Sequence, residues 1–144
     1  MLLLSLALSA HAIEPAALAA AYEQVRAPLA EDRVEDARRA AEALAAVPDA
    51  PADLTAAARS LVVTTDAEGA RVAFGEVSRV VVRELVAAGV PDGAKVFHCP
   101  MTAAWGYWIQ PSAGISNPYM GTSMPTCGEG TSWKSAAKAV PVKP

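Results

Sequence analysis

The sequence predicts a mainly α-helical protein, a four-helix up-down bundle with a short irregular or β-hairpin segment at its C-terminal end. Three observations predict this class. Apolar residues recur at helical spacing between residues 15 and 89, prolines and short joints divide that stretch into four segments, and the helical periodicity stops at Lys95. The length of 144 residues suits one domain with one modest core, since much of the 53% hydrophobic fraction is alanine.

The first two predicted helices lie before Pro48. Pro15 suits the first position of a helix, and Pro28 is expected to end or kink it. The apolar face of this helix should carry Leu18, Tyr22, Val25 and Leu29. Asp32 and Glu35 have the spacing of a capping box for the second helix. Its apolar stripe should carry Val34, Ala37, Ala41, Leu44 and Val47.

The third and fourth predicted helices lie between Pro51 and Gly89. The third should bury Leu54, Ala58, Leu61 and Val62. Thr65 and Glu68 form a second capping box, and Gly75 inside the fourth helix predicts the close packing of a neighbouring helix. The apolar stripe of the fourth helix should carry Ala70, Phe74, Val77, Val81, Leu85 and Ala88.

Charge and motif content exclude several function classes. Twelve Lys and Arg against fifteen Asp and Glu give a net charge of −3, and the basic residues are scattered, so nucleic-acid binding is not expected. The sequence contains no Gly-x-Ser-x-Gly elbow, no His-Glu-x-x-His pair and no phosphate loop. We interpret the helical part as scaffold and expect no enzyme activity.

The two ends of the chain predict export and disorder. Residues 1–12 are typical of a signal peptide, because an apolar run is followed by Ala-His-Ala, a small-x-small cleavage pattern. The run is too short to span a bilayer, so membrane insertion is not expected after cleavage. A buried N-terminal helix is the alternative. We therefore expect a periplasmic or otherwise exported domain at residues 13–133, followed by a disordered tail at residues 134–144.

Composition changes in residues 95–128, where glycine, proline and aromatic residues become frequent. Residues 95–98 and 105–110 are predicted to be extended, with turns at residues 111–114 and 117–121. Asn117 is expected to shape its turn by side-chain to backbone hydrogen bonds. Five aromatic residues are expected mainly to cover the open end of the bundle: Trp105, Tyr107, Trp108, Tyr119 and Trp133.

The same segment concentrates soft metal ligands. Both cysteines and three of the four methionines fall in it, with the single histidine that the predicted mature chain retains. The candidate ligands form two groups with Met120 between them, namely His98, Cys99 and Met101, and then Met124 and Cys127. Thiolate and thioether select copper(I), and a hairpin through residues 102–123 would bring the two groups together. Magnesium and calcium lack an oxygen-rich cluster here, and zinc normally takes more His or Cys.

A disulfide is the competing interpretation. Two cysteines in an exported protein most often pair, and closing the loop between Cys99 and Cys127 would stabilise the fold by roughly 3 kcal/mol in the chain-entropy model. The protein would then be a helical interaction module without metal, and its methionines would fill gaps in the core. An envelope thiol-redox protein is a third alternative, although a Cys-x-x-Cys motif is absent. The residues alone favour the disulfide slightly.

A set of motifs changes this balance. Residues 97–101 are Phe-His-Cys-Pro-Met, residues 106–110 Gly-Tyr-Trp-Ile-Gln, residues 115–119 Ile-Ser-Asn-Pro-Tyr, and residues 124–128 Met-Pro-Thr-Cys-Gly, with Gly121 between the last two. Arg71, Phe74 and Ser78 add a looser helical pattern. Together they resemble a domain of unknown function found in bacterial envelope proteins. That domain occurs alone or at the C-terminus of periplasmic adaptor subunits of CusB-type heavy-metal efflux systems.

The resemblance implies a function and a ligand set. It implies a periplasmic copper(I) carrier or buffer in heavy-metal resistance, with an efflux complex or another periplasmic copper protein as partner. Proline replaces the usual leucine at position 125, and Met120 stands where an aromatic residue is common, which makes Met120 an extra candidate ligand. The implied ligands are Cys99, Met101, Met124 and Cys127, with His98 in support because tyrosine also occupies its place in the family.

Overall fold

The structure is a computed structural model that describes residues 12–140. The predicted signal peptide lies outside this range except for its last residue, and so do residues 141–144. The described chain is mainly helical, with a three-stranded antiparallel sheet near its C-terminal end. Among the helices of the described range, none combines the length and apolar character that crossing a bilayer requires.

Four helices precede the sheet: α1 (Pro15–Ala30), α2 (Val34–Ala45), α3 (Ala52–Val62) and α4 (Ala67–Ala88). Each packs on the next in sequence, and α1 also contacts α4. Most residues of the predicted apolar stripes lie in the core, with at most 1% exposure for Leu18, Tyr22, Val25 and Leu29 of α1 and for Phe74, Val77, Val81 and Leu85 of α4. The predicted stripe residues at helix ends differ, because Val34, Val47 and Val62 are only half-buried and Ala88 is exposed. The mainly helical class is confirmed, and the up-down direction of the helices stays a prediction.

The start of α2 differs from the predicted capping box. Arg33 occupies the N-cap position, where its side chain does not cap the helix, and Asp32 has a positive φ of 60°. The Asp32 carboxylate instead accepts hydrogen bonds from the Arg71 guanidinium and from the backbone and hydroxyl of Thr122. The two hydrogen bonds from Thr122, followed by the charge of Arg71, lower the pKa of Asp32, and the carboxylate that accepts these bonds does not cap α2.

The ends of α1 and α4 follow the sequence more closely. Helix α1 ends two residues after Pro28, at Ala30. Helix α4 begins one residue later than predicted, because the carboxylate of Asp66 rather than the Thr65 hydroxyl accepts a hydrogen bond from the Gly69 amide at 2.7 Å. It ends at Ala88 before Gly89, as predicted, with φ of 126° at that glycine.

The sheet contains β1 (Lys95–His98), β2 (Tyr107–Gln110) and β3 (Glu129–Thr131) in the order β2-β1-β3. The two predicted extended stretches form an antiparallel pair in which Phe97 faces Trp108. The predicted hairpin through residues 102–123 is wrong, because the turn between β1 and β2 is residues 99–106. Residues 111–128 then lead to β3, which pairs with the other edge of β1. Strand β3 was not predicted, since Glu-Gly-Thr carries no alternating apolar pattern.

A fifth helix, α5 (Trp133–Ala139), replaces most of the predicted disordered tail. Its N-cap is Ser132, whose hydroxyl accepts a hydrogen bond from the Ser135 amide at 3.1 Å. Ala136 is fully buried, and α5 packs on α4. The expectation of disorder was wrong for residues 134–139. The side-chain cap at Ser132 and the burial of Ala136 stabilise this short helix.

The buried hydroxyl of Tyr22 joins the sheet to the helices. It lies 2.7 Å from the Ser78 hydroxyl of α4 and accepts a hydrogen bond from the Ile109 amide of β2 at 3.2 Å. Burial raises the pKa of Tyr22, so the hydroxyl keeps its proton. Strand β2 is an edge strand, and its Tyr107 carbonyl is also bonded by a tyrosine hydroxyl, that of Tyr119. Two tyrosine hydroxyls therefore form hydrogen bonds with backbone groups of β2 that would otherwise be unpaired at the edge of the sheet.

Replacing Tyr22 with phenylalanine keeps the ring and tests this hydroxyl. The Ile109 amide would remain buried without its partner, so we expect the free energy of unfolding to fall by about 1–3 kcal/mol. Tyr107→Phe is the control, because Tyr107 is half-buried and we expect a change of less than about 0.5 kcal/mol there. Urea unfolding followed by circular dichroism measures both variants, and equal losses would contradict this account of the joint.

Candidate metal centre

Cys99 is fixed at the end of β1 by the turn that follows it. Its amide donates a hydrogen bond to the Gly106 carbonyl at 2.9 Å, and its side chain is buried. Gly106 has φ of 83°, and a Cβ there would lie 2.7 Å from the Cys99 carbonyl oxygen. Only glycine therefore allows the chain to close this tightly beside the cysteine.

Cys127 ends a turn in the segment that returns to the sheet. Its amide donates a hydrogen bond to the Met124 carbonyl at 3.1 Å. The next residue, Gly128, has φ of 118°, and a Cβ there would lie 2.8 Å from the His98 carbonyl oxygen and 2.9 Å from the Trp108 ring. Glycine at position 128 thus lets the chain pass directly beside the end of β1, which brings Cys127 to Cys99.

The two cysteines are free thiols whose sulfur atoms lie 3.7 Å apart. A disulfide bond would require a sulfur–sulfur separation of about 2.0 Å. The observed separation is that of two sulfur atoms in contact without a bond. It is also close to the spacing of about 3.8 Å that two thiolates have on one tetrahedral zinc ion, with bonds of about 2.3 Å.

The surroundings of Cys127 disfavour its thiolate. Desolvation raises the pKa of this thiol, and the neighbouring Cys99 thiol raises it further. Reactive thiols in redox enzymes have depressed pKa values, usually because a cation or a helix N-terminus stabilises the anion. The environment of Cys127 has the opposite effect and favours the neutral thiol.

The other predicted ligands differ in their burial and in their contacts. Met101 is 64% exposed and Met124 is 41% exposed, whereas Met120 is half-buried against the core. The His98 ring packs on Tyr107, with ring centres 4.3 Å apart. Among residues 12–140 no group of three His, Cys, Asp or Glu side chains is arranged to hold a metal ion. The structure therefore brings together the two thiols, and the roles of His98 and the methionines stay predictions.

Polar side chains form hydrogen bonds that hold the segment carrying Cys127. Of these side chains, the sequence predicted such bonds only for Asn117. The Arg26 guanidinium of α1 donates to the Ser116 carbonyl at 2.7 Å, and Arg71 of α4 donates to the Pro118 carbonyl at 3.2 Å. Arg26 is only 5% exposed. Its position four residues after Tyr22, on the buried face of α1, was the signal that could have identified it.

Close packing at Gly75 has a different partner from the one predicted. A Cβ at this position of α4 would lie 3.0 Å from the Trp105 amide nitrogen and 3.3 Å from the Ala104 Cβ. The neighbour is therefore the turn between β1 and β2, and not another helix. Gly75 lets the turn that begins at Cys99 rest on α4.

No protein-family model, no curated protein and no solved structure matches this chain. The resemblance to the efflux-associated domain therefore stays a prediction. Its motif residues nevertheless have defined places in the fold. Phe74 packs between Tyr22 and Tyr119, and Ser78 forms a hydrogen bond with the Tyr22 hydroxyl, so two of the three helical motif residues contact the joint between helices and sheet.

Gly128→Ala tests the close passage of the chain beside Cys99. The new Cβ meets a backbone carbonyl and an indole ring at a positive φ, so we expect a loss of about 1–3 kcal/mol in the free energy of unfolding. Gly114→Ala is the matched control, because no atom lies within 4 Å of its would-be Cβ. Thermal unfolding of both variants measures the difference. An unchanged melting temperature for Gly128→Ala would contradict the described path of the chain.

Proposed function

We propose that this protein binds copper(I) in the bacterial envelope and acts as a carrier or buffer in heavy-metal resistance. The observation that carries the proposal is the pair of free thiols of Cys99 and Cys127, 3.7 Å apart. The pair is built by residues distant in sequence, on a scaffold in which we identify no other set of candidate ligands. Binding without catalysis is the simplest use of such a site.

The donor set favours copper(I) over harder ions. Thiolate and thioether are soft ligands, which select copper(I), and Met101 and Met124 lie close along the chain to the two cysteines. Zinc normally takes four ligands in a structural site, and the described residues supply no third His, Cys, Asp or Glu to this pair. Silver shares the soft chemistry of copper(I), so it is the competitor to include in a binding assay.

Location and partner belong to the same proposal. Residues 1–12, which have the pattern of a signal peptide, support an exported protein, and the resemblance supports a partner in a heavy-metal efflux complex or another periplasmic copper protein. The helices would serve as scaffold, in the up-down arrangement that the short joints favour.

A copper(I) titration without oxygen tests the proposal. We expect the reduced protein to compete with a copper(I) chelator for one ion per chain, and Cys99→Ser/Cys127→Ser to lose this binding, because the double variant lacks both thiolates. Equal, weak binding by the two proteins would rule the proposal out. Titration with silver(I) and zinc(II) under the same conditions establishes which ion the site prefers.

The same titration shows which of the three methionines contribute to copper(I) binding. Met101→Leu/Met124→Leu keeps both thiols, and we expect it to weaken copper(I) binding if the thioethers complete the site. Met120→Leu is the matched control, since Met120 packs against the core and we expect its variant to bind as the wild type does. A loss confined to Met120→Leu would reverse the assignment of the thioether ligands.

The pH dependence of binding follows from the raised pKa of Cys127. Below that pKa the thiol must release a proton when the metal binds. This one proton makes the affinity rise by about tenfold for each unit of increasing pH. Competition titrations at a series of pH values measure the slope, after correction for the chelator. Cys127→Ser should lower the slope by this one proton, and an affinity independent of pH in the wild type would contradict thiolate binding.

A disulfide-stabilised interaction module is the second candidate, because the same proximity of Cys99 and Cys127 also permits oxidation. Counting reactive thiols in protein taken directly from the envelope distinguishes the two. Two reactive thiols favour the metal site, and none favours the disulfide. The raised pKa of Cys127 weighs against the third candidate, a thiol-redox enzyme.

A further inference from the structure

We propose that Asn117 is a positioning residue of the thiol pair, whose buried amide holds the main chain at Cys127 and so sets the separation of the two sulfur atoms. This inference rests on the proposed function for its copper readout. Its second readout, the thiol–disulfide equilibrium of the metal-free protein, is independent of that function.

The Asn117 side chain forms bonds in two directions. Its amide nitrogen donates to the Cys127 carbonyl at 2.7 Å, across ten residues of chain. Its amide oxygen accepts from the Tyr119 amide at 2.7 Å and from the Met120 amide at 3.1 Å. The Asn117 backbone amide also donates to the Pro125 carbonyl at 2.9 Å. One side chain therefore links the start of this loop to the residue that carries the thiol.

Complete burial makes these bonds necessary. Asn117 has 0% exposure, and a buried amide is costly unless its donors and acceptors are paired. An asparagine that only shaped its own turn would need the two local bonds to Tyr119 and Met120. The bond to the Cys127 carbonyl is additional to that turn, and it is the one that acts on the site.

Cys127 is fixed from both directions along the chain. After it, the ladder between β1 and β3 begins with the pair His98 and Glu129. The Asn117 side chain fixes the Cys127 carbonyl, while Cys99 is held separately by its backbone hydrogen bond to Gly106. Release of the Asn117 bond would leave Cys99 in place and free the loop on the other side of the pair. The sulfur separation should therefore depend on Asn117.

Gln110 provides a matched control, because it is a second buried amide that holds a neighbouring loop. It is 1% exposed, its oxygen accepts from the Trp108 indole at 2.9 Å, and its nitrogen donates to the Ser112 carbonyl at 3.0 Å. None of its hydrogen bonds in the described range goes to a cysteine. Gln110→Ala should therefore remove comparable polar contacts without acting on the thiol pair.

The test compares Asn117→Ala with Gln110→Ala in the full chain. We expect Asn117→Ala to lower copper(I) affinity at least about tenfold, as outer residues of metal sites commonly do. It should also disfavour the protein disulfide in a glutathione buffer, where two protein thiols and one glutathione disulfide exchange for a protein disulfide and two glutathione thiols. Gln110→Ala should lower the melting temperature and leave both readouts unchanged.

Asn117→Asp separates positioning from loss of the fold. Ionised at mildly alkaline pH, the new carboxylate still accepts from Tyr119 and Met120 but cannot donate to the Cys127 carbonyl. We expect it to show both defects even if Asn117→Ala does not fold. Wild-type values for Asn117→Asp, or equal defects in Gln110→Ala, would overturn the inference. Failure of the wild type to bind copper(I) would overturn the proposed function alone, since the disulfide equilibrium would still report on Asn117.

Discussion

The bridge from Ser78 through the Tyr22 hydroxyl to the Ile109 amide is the interaction on which the C-terminal part of the structure depends. It joins α1, α4 and the edge strand β2 in a site closed to solvent. Because β1 pairs with β2, and β3 with β1, the position of the whole sheet follows from this joint. Cys99 continues directly from β1, so its place relative to the helices is set by a hydroxyl far from it in the sequence.

Residues 110–128 depend on buried polar groups more than on apolar packing. This segment has few large apolar side chains, yet its backbone groups must still find partners. Arg26, Gln110 and Asn117 supply them from positions that are almost fully buried. Hydrogen bonds are directional, so they fix a loop in one conformation more sharply than an alanine-rich surface would. Gln110 thereby holds the start of this segment at Ser112, and Asn117 holds its end at Cys127.

The features that could be predicted from the sequence depend on residues close together in the chain. The helices and their buried stripes follow from periodicity within one element, and the turn bonds of Asn117 follow from its own chemistry. Asp32 departed from the predicted cap because its partners, Arg71 and Thr122, lie far away in sequence. Strand β3 and helix α5 are too short to show a pattern, and their neighbours stabilise them.

For the candidate site, residue types indicated the chemistry but not the geometry. The concentration of sulfur in residues 95–128 pointed to Cys99 and Cys127, and the structure brings them together by a route different from the predicted hairpin. That route depends on Gly128, whose positive φ and close contacts arise only in the folded chain. The His98 ring packs on Tyr107, a contact that spacing along the chain could not indicate.

The way Cys127 is held bears on both proposed uses of the thiol pair, a metal site and a disulfide. A disulfide has a specific geometry, so it forms readily only between cysteines that the fold has already brought together. Two free thiols that share a metal ion need their spacing fixed by the surrounding structure, because affinity depends on ligands already placed. Asn117, Gly128 and the β1–β3 ladder fix Cys127 while both thiols are free. The same preorganisation serves both proposed uses of the pair, copper(I) binding and disulfide formation.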